Sequence, residues 1–112
     1  MFKVTTDTLK KTYAVVSIEG DLDALTSNRL NNMLSDLLQK GHIRLALDFS
    51  NVRFVSSAGL GAILRVQQEA SKSGGQIRLF SLPKNVRNVF VIAGFDKIIP
   101  MVDQLEDAVE GW

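Results

Sequence analysis

Cysteine is absent from this 112-residue chain, and histidine occurs once, as His42. Without cysteine there is no disulfide scaffold, no thiol nucleophile and no cysteine-based metal site. One histidine, placed after Gly41 in an expected turn, does not supply a zinc site either. We therefore expect no metal and no bound cofactor, and we interpret His42 as a turn residue that faces solvent.

Neither sign of charge dominates, and long apolar runs are missing. The 13 basic and 12 acidic residues are interspersed and give a formal net charge of +1, which argues against the basic face that nucleic-acid binding requires. No run approaches the length that spans a bilayer, and the first seven residues contain no apolar leader segment. We expect a cytoplasmic protein that binds no nucleic acid and does not insert directly into a membrane.

Motifs that carry catalysis are also missing. A glycine pair begins a dinucleotide-binding pattern, but Leu64 stands where its third glycine would be. There is no lysine-containing phosphate loop and no nucleophile elbow around a serine. Asp21, Asp23 and Asp48 could be combined into an acid–base or magnesium cluster, but a turn, a helix start and a strand end explain them better. We predict that the chain is not an enzyme.

Apolar residues, with alanine and tyrosine counted among them, make up 46% of the chain. Along the sequence their spacing alternates between that of strands and that of helices. Strands at residues 2–6 and 13–19 predict a hairpin, with Lys10 and Lys11 in its polar turn. Leucine and methionine then recur at helical spacing over residues 24–39, and Gly41 ends that helix. A strand at residues 43–49 follows, and after a polar turn a second helix covers residues 57–72.

The last third of the sequence continues this alternation. Residues 76–80 predict a strand, and a helix starts after Pro83 and ends at Gly94. Ile98 and Ile99 predict a short strand, and residues 105–112 a final helix. The order predicts an α/β domain over residues 1–112, with a mostly parallel mixed sheet of four to five strands, an antiparallel first strand and about four flanking helices.

Two serines, Ser56 and Ser57, open the second expected helix. The carboxyl ends of parallel strands lie at one edge of a sheet, so we expect Asp21 and Asp23 nearby. The first N–H groups of a helix lack partners and lie at the positive end of its dipole, which tolerates a phosphoserine. A phosphoryl group adds about −1.5 to −2 charges and can create or forbid a protein contact. A simple helix N-cap is the other interpretation.

Two segments resemble signatures of the STAS domain, and specifically of the stand-alone anti-sigma factor antagonists of bacteria. The segment Gly20-Asp21-Leu22-Asp23 is similar to the family's turn after its second strand. The segment from Leu47 to Gly61 resembles the family's strand-to-phosphosite signature. The resemblance covers nearly the whole chain and implies the STAS fold.

The resemblance implies a partner-switching regulator. Its unphosphorylated form would bind an anti-sigma factor that is also a serine kinase, phosphorylation would break the complex, and a serine phosphatase would reset the cycle. The acceptor corresponds to Ser57. The family often has aspartate just before the acceptor, whereas this chain has Ser56 there, and its additional hydroxyl is the alternative acceptor. Asp23 matches the family's loop aspartate. The expected partner-binding residues are Asp21, Asp23, Ser56, Ser57, Ala58, Gly59 and Leu60.

A second hypothesis belongs to a different class of protein. STAS domains also serve as structural subunits of transporters, such as ABC systems that traffic lipids, and this role needs no phosphorylation. Replacement of Ser57 by aspartate should abolish binding to a switch partner but leave a transporter subunit almost unaffected. In either case we expect a monomer.

Overall fold

The computed structural model describes residues 1–8 and 12–112, which form one five-stranded sheet and four α-helices. The strands are β1 (Lys3–Asp7), β2 (Ala14–Leu22), β3 (Arg44–Val55), β4 (Gln76–Phe80) and β5 (Met101–Val102). The helices are α1 (Ala24–Gln39), α2 (Ser57–Lys72), α3 (Lys84–Ile92) and α4 (Leu105–Ala108), and Phe95–Lys97 forms a 3-10 turn. The expected turn at Lys10 and Lys11 lies outside the described residues.

The strands lie in the order β1-β2-β3-β4-β5. β1 pairs with β2 in antiparallel fashion, and the remaining pairs are parallel. The expected α/β architecture with an antiparallel first strand is therefore confirmed. Of the helices that the structure describes, none combines the length and apolar character needed to cross a membrane.

β2 and β3 are longer than the sequence predicts, and this is a correction. β2 continues through Gly20 to Leu22, and β3 runs through the expected polar turn to Val55. β3 holds one extra residue at each of two register shifts against β2, beside Glu19 and Asp21. Such bulges break the alternation of buried and exposed residues, so the period that marks a strand was lost in this segment.

The last two elements also differ from expectation. Ile98 and Ile99 are not a strand, since they follow the 3-10 turn, with Ile99 buried and Ile98 exposed. The fifth strand is Met101–Val102, which pairs with Leu79 and Phe80. The last helix comprises only Leu105–Ala108. A two-residue strand is too short to show a period, which is why the apolar isoleucine pair was misleading.

The main core lies between one face of the sheet and three helices. α1, α2 and α3 place buried side chains such as Leu34, Ile63 and Phe90 against this face. The opposite face carries a smaller cluster, in which Ala108 of α4 packs with Ala46 and Phe80. Because α1 follows β2 and α2 follows β3, and these two strands are parallel neighbours, both helices start at the same edge of the sheet.

Candidate functional site

The expected site residues meet where β2 and β3 lead into α1 and α2. The backbone N–H of Ser56 donates to the carbonyl of Leu22 at 2.8 Å, which ties the start of α2 to the end of β2. Asp21 and Asp23 flank Leu22 in the chain, and Ser57 follows Ser56. The structure thus brings these four polar residues to one edge of the sheet.

Asp23 holds the start of α1 in a capping box. Its carboxylate accepts a hydrogen bond from the Thr26 backbone N–H at 2.9 Å, and the Thr26 hydroxyl oxygen accepts one from the Asp23 N–H at 2.9 Å. The Thr26 hydroxyl also donates to the carbonyl of Asp21 at 2.6 Å. The hydrogen bonds from Thr26, the backbone N–H first, lower the pKa of the Asp23 carboxyl below its ordinary value. Asp23 is therefore a carboxylate at neutral pH.

The two serines at the start of α2 have different surroundings. Ser56 is the N-cap, is half-buried, and accepts a hydrogen bond from the Gly59 N–H at 3.2 Å. Ser57 is the first residue of the helix and is exposed. Within residues 1–8 and 12–112 its hydroxyl has no hydrogen-bond partner. The helix-cap interpretation thus applies to Ser56, while Ser57 presents a free hydroxyl.

The next residues of α2 contribute mainly to packing. Gly59 is buried, and a Cβ atom there would lie 2.9 Å from a methyl carbon of Val55 and 3.1 Å from the Cβ of Leu22. Leu60 is half-buried against the main core, and Ala58 is half-buried as well. Among the seven residues expected to bind a partner, Gly59 is placed inside, where it lets α2 approach the sheet.

Charged and apolar side chains border the serines. Asp21 pairs with Arg53, with 3.4 Å between the carboxylate and the guanidinium Nε. Two large apolar side chains are exposed at the same edge, Leu25 (69%) in the first turn of α1 and Phe54 (53%) near the end of β3. The edge therefore combines apolar surface with a mixed-charge border.

A cleft of about 560 Å³ opens between the first turns of α1 and α2. We call it the α1–α2 cleft, and its lining residues are Ala24, Leu25, Ser27, Asn28, Ser57, Ala58, Gly61 and Arg65. Sequence reasoning missed Ser27 and Asn28 because their proximity to Ser57 depends on how α1 and α2 meet. It missed Arg65 because the place of this residue in the cleft depends on the direction of its side chain along α2. The available signal was Gly61, which has no side chain and so leaves room for the Arg65 guanidinium one turn after Ser57.

Comparison with known proteins identifies the family of this chain. A model of the STAS domain matches residues 3–108 of the chain, so the chain belongs to the STAS domain family. The protein BtrV of Bordetella bronchiseptica, whose name describes it provisionally as an anti-sigma factor antagonist, is 31% identical over 94 residues, which cover 84% of this chain and 81% of BtrV. The anti-sigma F factor antagonist of Paenibacillus polymyxa is 26% identical over 96 residues, covering 85% of this chain and 82% of the relative.

A solved structure supports the same fold. The anti-sigma factor antagonist SpoIIAA of Bacillus, in its unphosphorylated form, superposes with a TM-score of 0.83. The match covers 96% of this chain and 94% of SpoIIAA, at 21% sequence identity. The STAS fold that the sequence motifs implied is confirmed.

Proposed function

We propose that this protein is an anti-sigma factor antagonist that acts by partner switching. Its unphosphorylated form binds an anti-sigma factor that is also a serine kinase. Phosphorylation of Ser57 releases the partner, and a serine phosphatase restores the binding form. The names of the relatives point to the same role, and the observation that carries the proposal is the exposed, unpartnered hydroxyl of Ser57 on the first turn of α2.

Ser57 is a better acceptor than Ser56 for a structural reason. The oxygen of Ser56 accepts the Gly59 N–H as the N-cap of α2. Phosphorylation there would disturb a cap, and losing a cap typically costs about 1 kcal/mol of stability. The hydroxyl of Ser57 can enter a kinase active site without breaking any hydrogen bond of the described chain.

The unphosphorylated edge offers a surface for the anti-sigma factor. Exposed Leu25 and Phe54 supply apolar area, and the Asp21–Arg53 pair and Asp23 supply a polar border. Apolar centres with polar rims are typical of protein–protein interfaces. The partner binds over Ser57, so the group to be modified lies in or next to the contact.

Release follows from the charge of the product. The kinase transfers the terminal phosphoryl group of a nucleoside triphosphate to the Ser57 oxygen, which loses its proton, and the nucleoside diphosphate leaves. The new group carries about −1.5 to −2 charges and must lose water to remain in the interface. Asp23, already anionic, adds repulsion. The positive end of the α2 dipole accommodates the charge in the free protein, so the fold persists.

The partner kinase catalyses the transfer of the phosphoryl group to Ser57. Residues 1–112 act as one binding domain, as a cytoplasmic monomer that uses no cofactor. The transporter-subunit hypothesis finds no specific support in the site, because a structural subunit does not require an exposed serine at this edge. The capture of partners from a lysate tests the transporter-subunit hypothesis as well.

The experiment captures partners from a lysate of the source organism on immobilised wild-type protein and on Ser57→Asp, with Ser71→Asp as control. Ser71 is exposed near the end of α2, so its replacement adds the same charge away from the site. We expect wild type and Ser71→Asp to retain an ATPase of the kinase class, identified by mass spectrometry, and Ser57→Asp to retain at least about tenfold less. With ATP, the purified kinase should phosphorylate wild type and Ser56→Ala but not Ser57→Ala.

Equal retention of the kinase by wild type and Ser57→Asp would contradict the switch. Phosphorylation of Ser57→Ala but not of Ser56→Ala would move the acceptor to Ser56. Capture of transporter components by both wild type and Ser57→Asp, with no kinase retained, would instead support the structural-subunit hypothesis.

A further inference from the structure

We propose that the α1–α2 cleft is an oxyanion site that holds the phosphoryl group of phosphorylated Ser57, with the guanidinium of Arg65 as its cationic arm. The inference rests on the proposed modification of Ser57 and adds where the modified group binds. In this arrangement the phosphoryl group is held by the protein that carries it, between α1 and α2.

The side chain of Arg65 is folded back along α2 toward Ser57. The Nη1 atom of Arg65 lies 3.3 Å from the position that a Cβ atom on Gly61 would occupy, and Gly61 lies one turn after Ser57. Long side chains on a helix lean toward its N-terminus, and the missing side chain at position 61 leaves this path open. Arg65 is exposed, and it forms no ion pair within the described part of the chain.

The α1 wall of the cleft contributes a second, independent observation. Ser27 lines the cleft and is 2% exposed, and its hydroxyl oxygen has no hydrogen-bond partner among residues 1–8 and 12–112. Buried hydroxyls in folded proteins are usually hydrogen-bonded, so this one is available to donate to a ligand oxygen. Its neighbour Asn28 also lines the cleft and carries an amide group with two further donors.

The charges around the cleft favour an anion. The first turns of α1 and α2 both face it. The carboxylate of Asp23 caps α1, whereas the N-cap of α2 is the uncharged Ser56 and its first turn contains no acidic residue, so the positive end of α2 is not neutralised there. Two carboxylates lie at the same edge of the sheet. Asp23 is committed to the Thr26 N–H, and Asp21 is paired with Arg53. Arg65 is the cationic residue of the cleft lining, and within residues 1–8 and 12–112 it forms no ion pair.

Binding of the phosphoryl group in the cleft has a consequence for the switch. The phosphorylated edge would present a group already bound to Arg65 and the α1 wall, so a partner would have to displace these contacts in order to bind. The proposed site therefore stabilises the released state, in addition to the repulsion that any phosphoserine would cause.

The test uses protein with phosphoserine placed at position 57 through an expanded genetic code, so that no kinase is needed. A ³¹P NMR titration gives the second pKa of the phosphoryl group, which is about 6 without contacts. We expect a lower value in the otherwise wild-type protein and a rise of about half a unit in Arg65→Gln. The control Lys72→Gln removes the same charge at the far end of α2 and should leave the titration unchanged.

Equal titration curves for wild type, Arg65→Gln and Lys72→Gln would overturn the proposal. A second readout is the Nε–H signal of Arg65 in ¹⁵N spectra, which should shift when phosphoserine replaces serine at position 57. Inorganic phosphate added to the unphosphorylated protein probes a free anion. If it shifts this signal and phosphoserine does not, the cleft binds a different oxyanion and the assignment to Ser57 is wrong.

These outcomes are separate from those of the proposed function. If phosphoserine at position 57 fails to release the partner while its titration depends on Arg65, the cleft is supported and the switch fails. If the partner is released while the second pKa of the phosphoryl group does not depend on Arg65, the switch is supported and the cleft assignment is wrong.

Discussion

At the scale of single residues, the site contains two kinds of hydroxyl. Ser56 and Thr26 are engaged in capping α2 and α1, and they fix the positions of the two helix starts. The hydroxyls of Ser57 and Ser27 have no hydrogen-bond partner within the described ranges. Ser57 is exposed, whereas Ser27 is buried. The free groups are therefore the ones to which a modification or a ligand can be assigned.

Replacement of Ser27 by alanine should stabilise the unphosphorylated protein by about 1 kcal/mol. The substitution removes a buried hydroxyl whose loss of hydration is not repaid by a hydrogen bond, and alanine is also the better helix former. Urea denaturation of the two proteins measures the difference. The control Ser35→Ala, in the same helix, removes a hydroxyl that lies 3.0 Å from both carboxylate oxygens of Glu69, and it should not stabilise.

A Ser27→Ala protein that unfolds at a lower urea concentration than wild type would contradict this prediction. It would mean that the hydroxyl of Ser27 is satisfied in solution, for example by water. Ser27 would then give no support to a ligand site in the α1–α2 cleft.

At the scale of elements, two glycines separated by one residue in α2 should respond in opposite ways to alanine. In Gly59→Ala the new methyl group would lie 2.9 Å from a methyl carbon of Val55 and 3.2 Å from the Leu22 carbonyl oxygen, so α2 has to move from the sheet. We expect a loss of about 1–3 kcal/mol. In Gly61→Ala the contact is the mobile end of Arg65, and we expect a gain of up to about 1 kcal/mol from helix propensity.

Urea denaturation of both variants checks this pair, and each serves as the control for the other because the chemical change is identical. Equal losses would show that helix propensity or local strain, rather than the approach of α2 to the sheet, sets the cost. The new methyl group in Gly61→Ala would lie 3.3 Å from Nη1 of Arg65, so this variant also tests the ³¹P titration with the guanidinium slightly shifted.

The elements differ in how well the sequence predicts them. The bounds of α1 and α2 were predicted to the residue, because the apolar spacing is regular and cap and glycine signals mark the ends. The extension of β3 to Val55 was missed, since its bulges against β2 interrupt the period. β5 was placed at Ile98 and Ile99 instead of Met101–Val102, because a two-residue strand is defined by its partner and not by its own pattern.

The site, like the fold, could be predicted from the sequence only in part. Proximity of Asp21 and Asp23 to the two serines could be predicted, because it follows from the parallel order of β2 and β3. The α1–α2 cleft could not be predicted, since the position of Arg65 depends on the direction of its side chain over Gly61. The helix-start interpretation of Asp23 is confirmed, because its carboxylate caps α1, whereas the part of Thr26 in this capping box was not predicted.

At the scale of the whole molecule, the two faces of the sheet are held differently. Three helices cover one face, while the short segment 105–112, which begins with α4, covers part of the other. Arg78 of β4 fixes this segment, because its Nη1 donates to the carbonyls of Ala108 at 3.0 Å and Glu110 at 2.8 Å. Its guanidinium also lies 4.1 Å from the ring centre of Trp112. Burial lowers the pKa of Arg78, but an arginine stays charged at neutral pH.

Arg78→Lys should loosen this segment and leave the functional edge intact. Lysine keeps the charge but lacks the planar fork that donates along the chain and stacks on an aromatic ring. Loss of about 1–2 kcal/mol of local contacts predicts amide hydrogen exchange roughly tenfold faster over residues 105–112. Emission from Trp112, the single tryptophan of the chain, should shift to longer wavelength as its ring becomes hydrated.

The matched control is Arg44→Lys, which makes the same change on the adjacent strand at an exposed position. It should leave both readouts at wild-type values. Retention of the kinase by Arg78→Lys should also equal that of wild type, because α4 and the α1–α2 cleft belong to opposite faces of the sheet. If Arg78→Lys weakened kinase binding while exchange at the carboxyl edge of β2 and β3 stayed slow, the partner would contact the α4 face too, and the interface would have to extend beyond the edge proposed here.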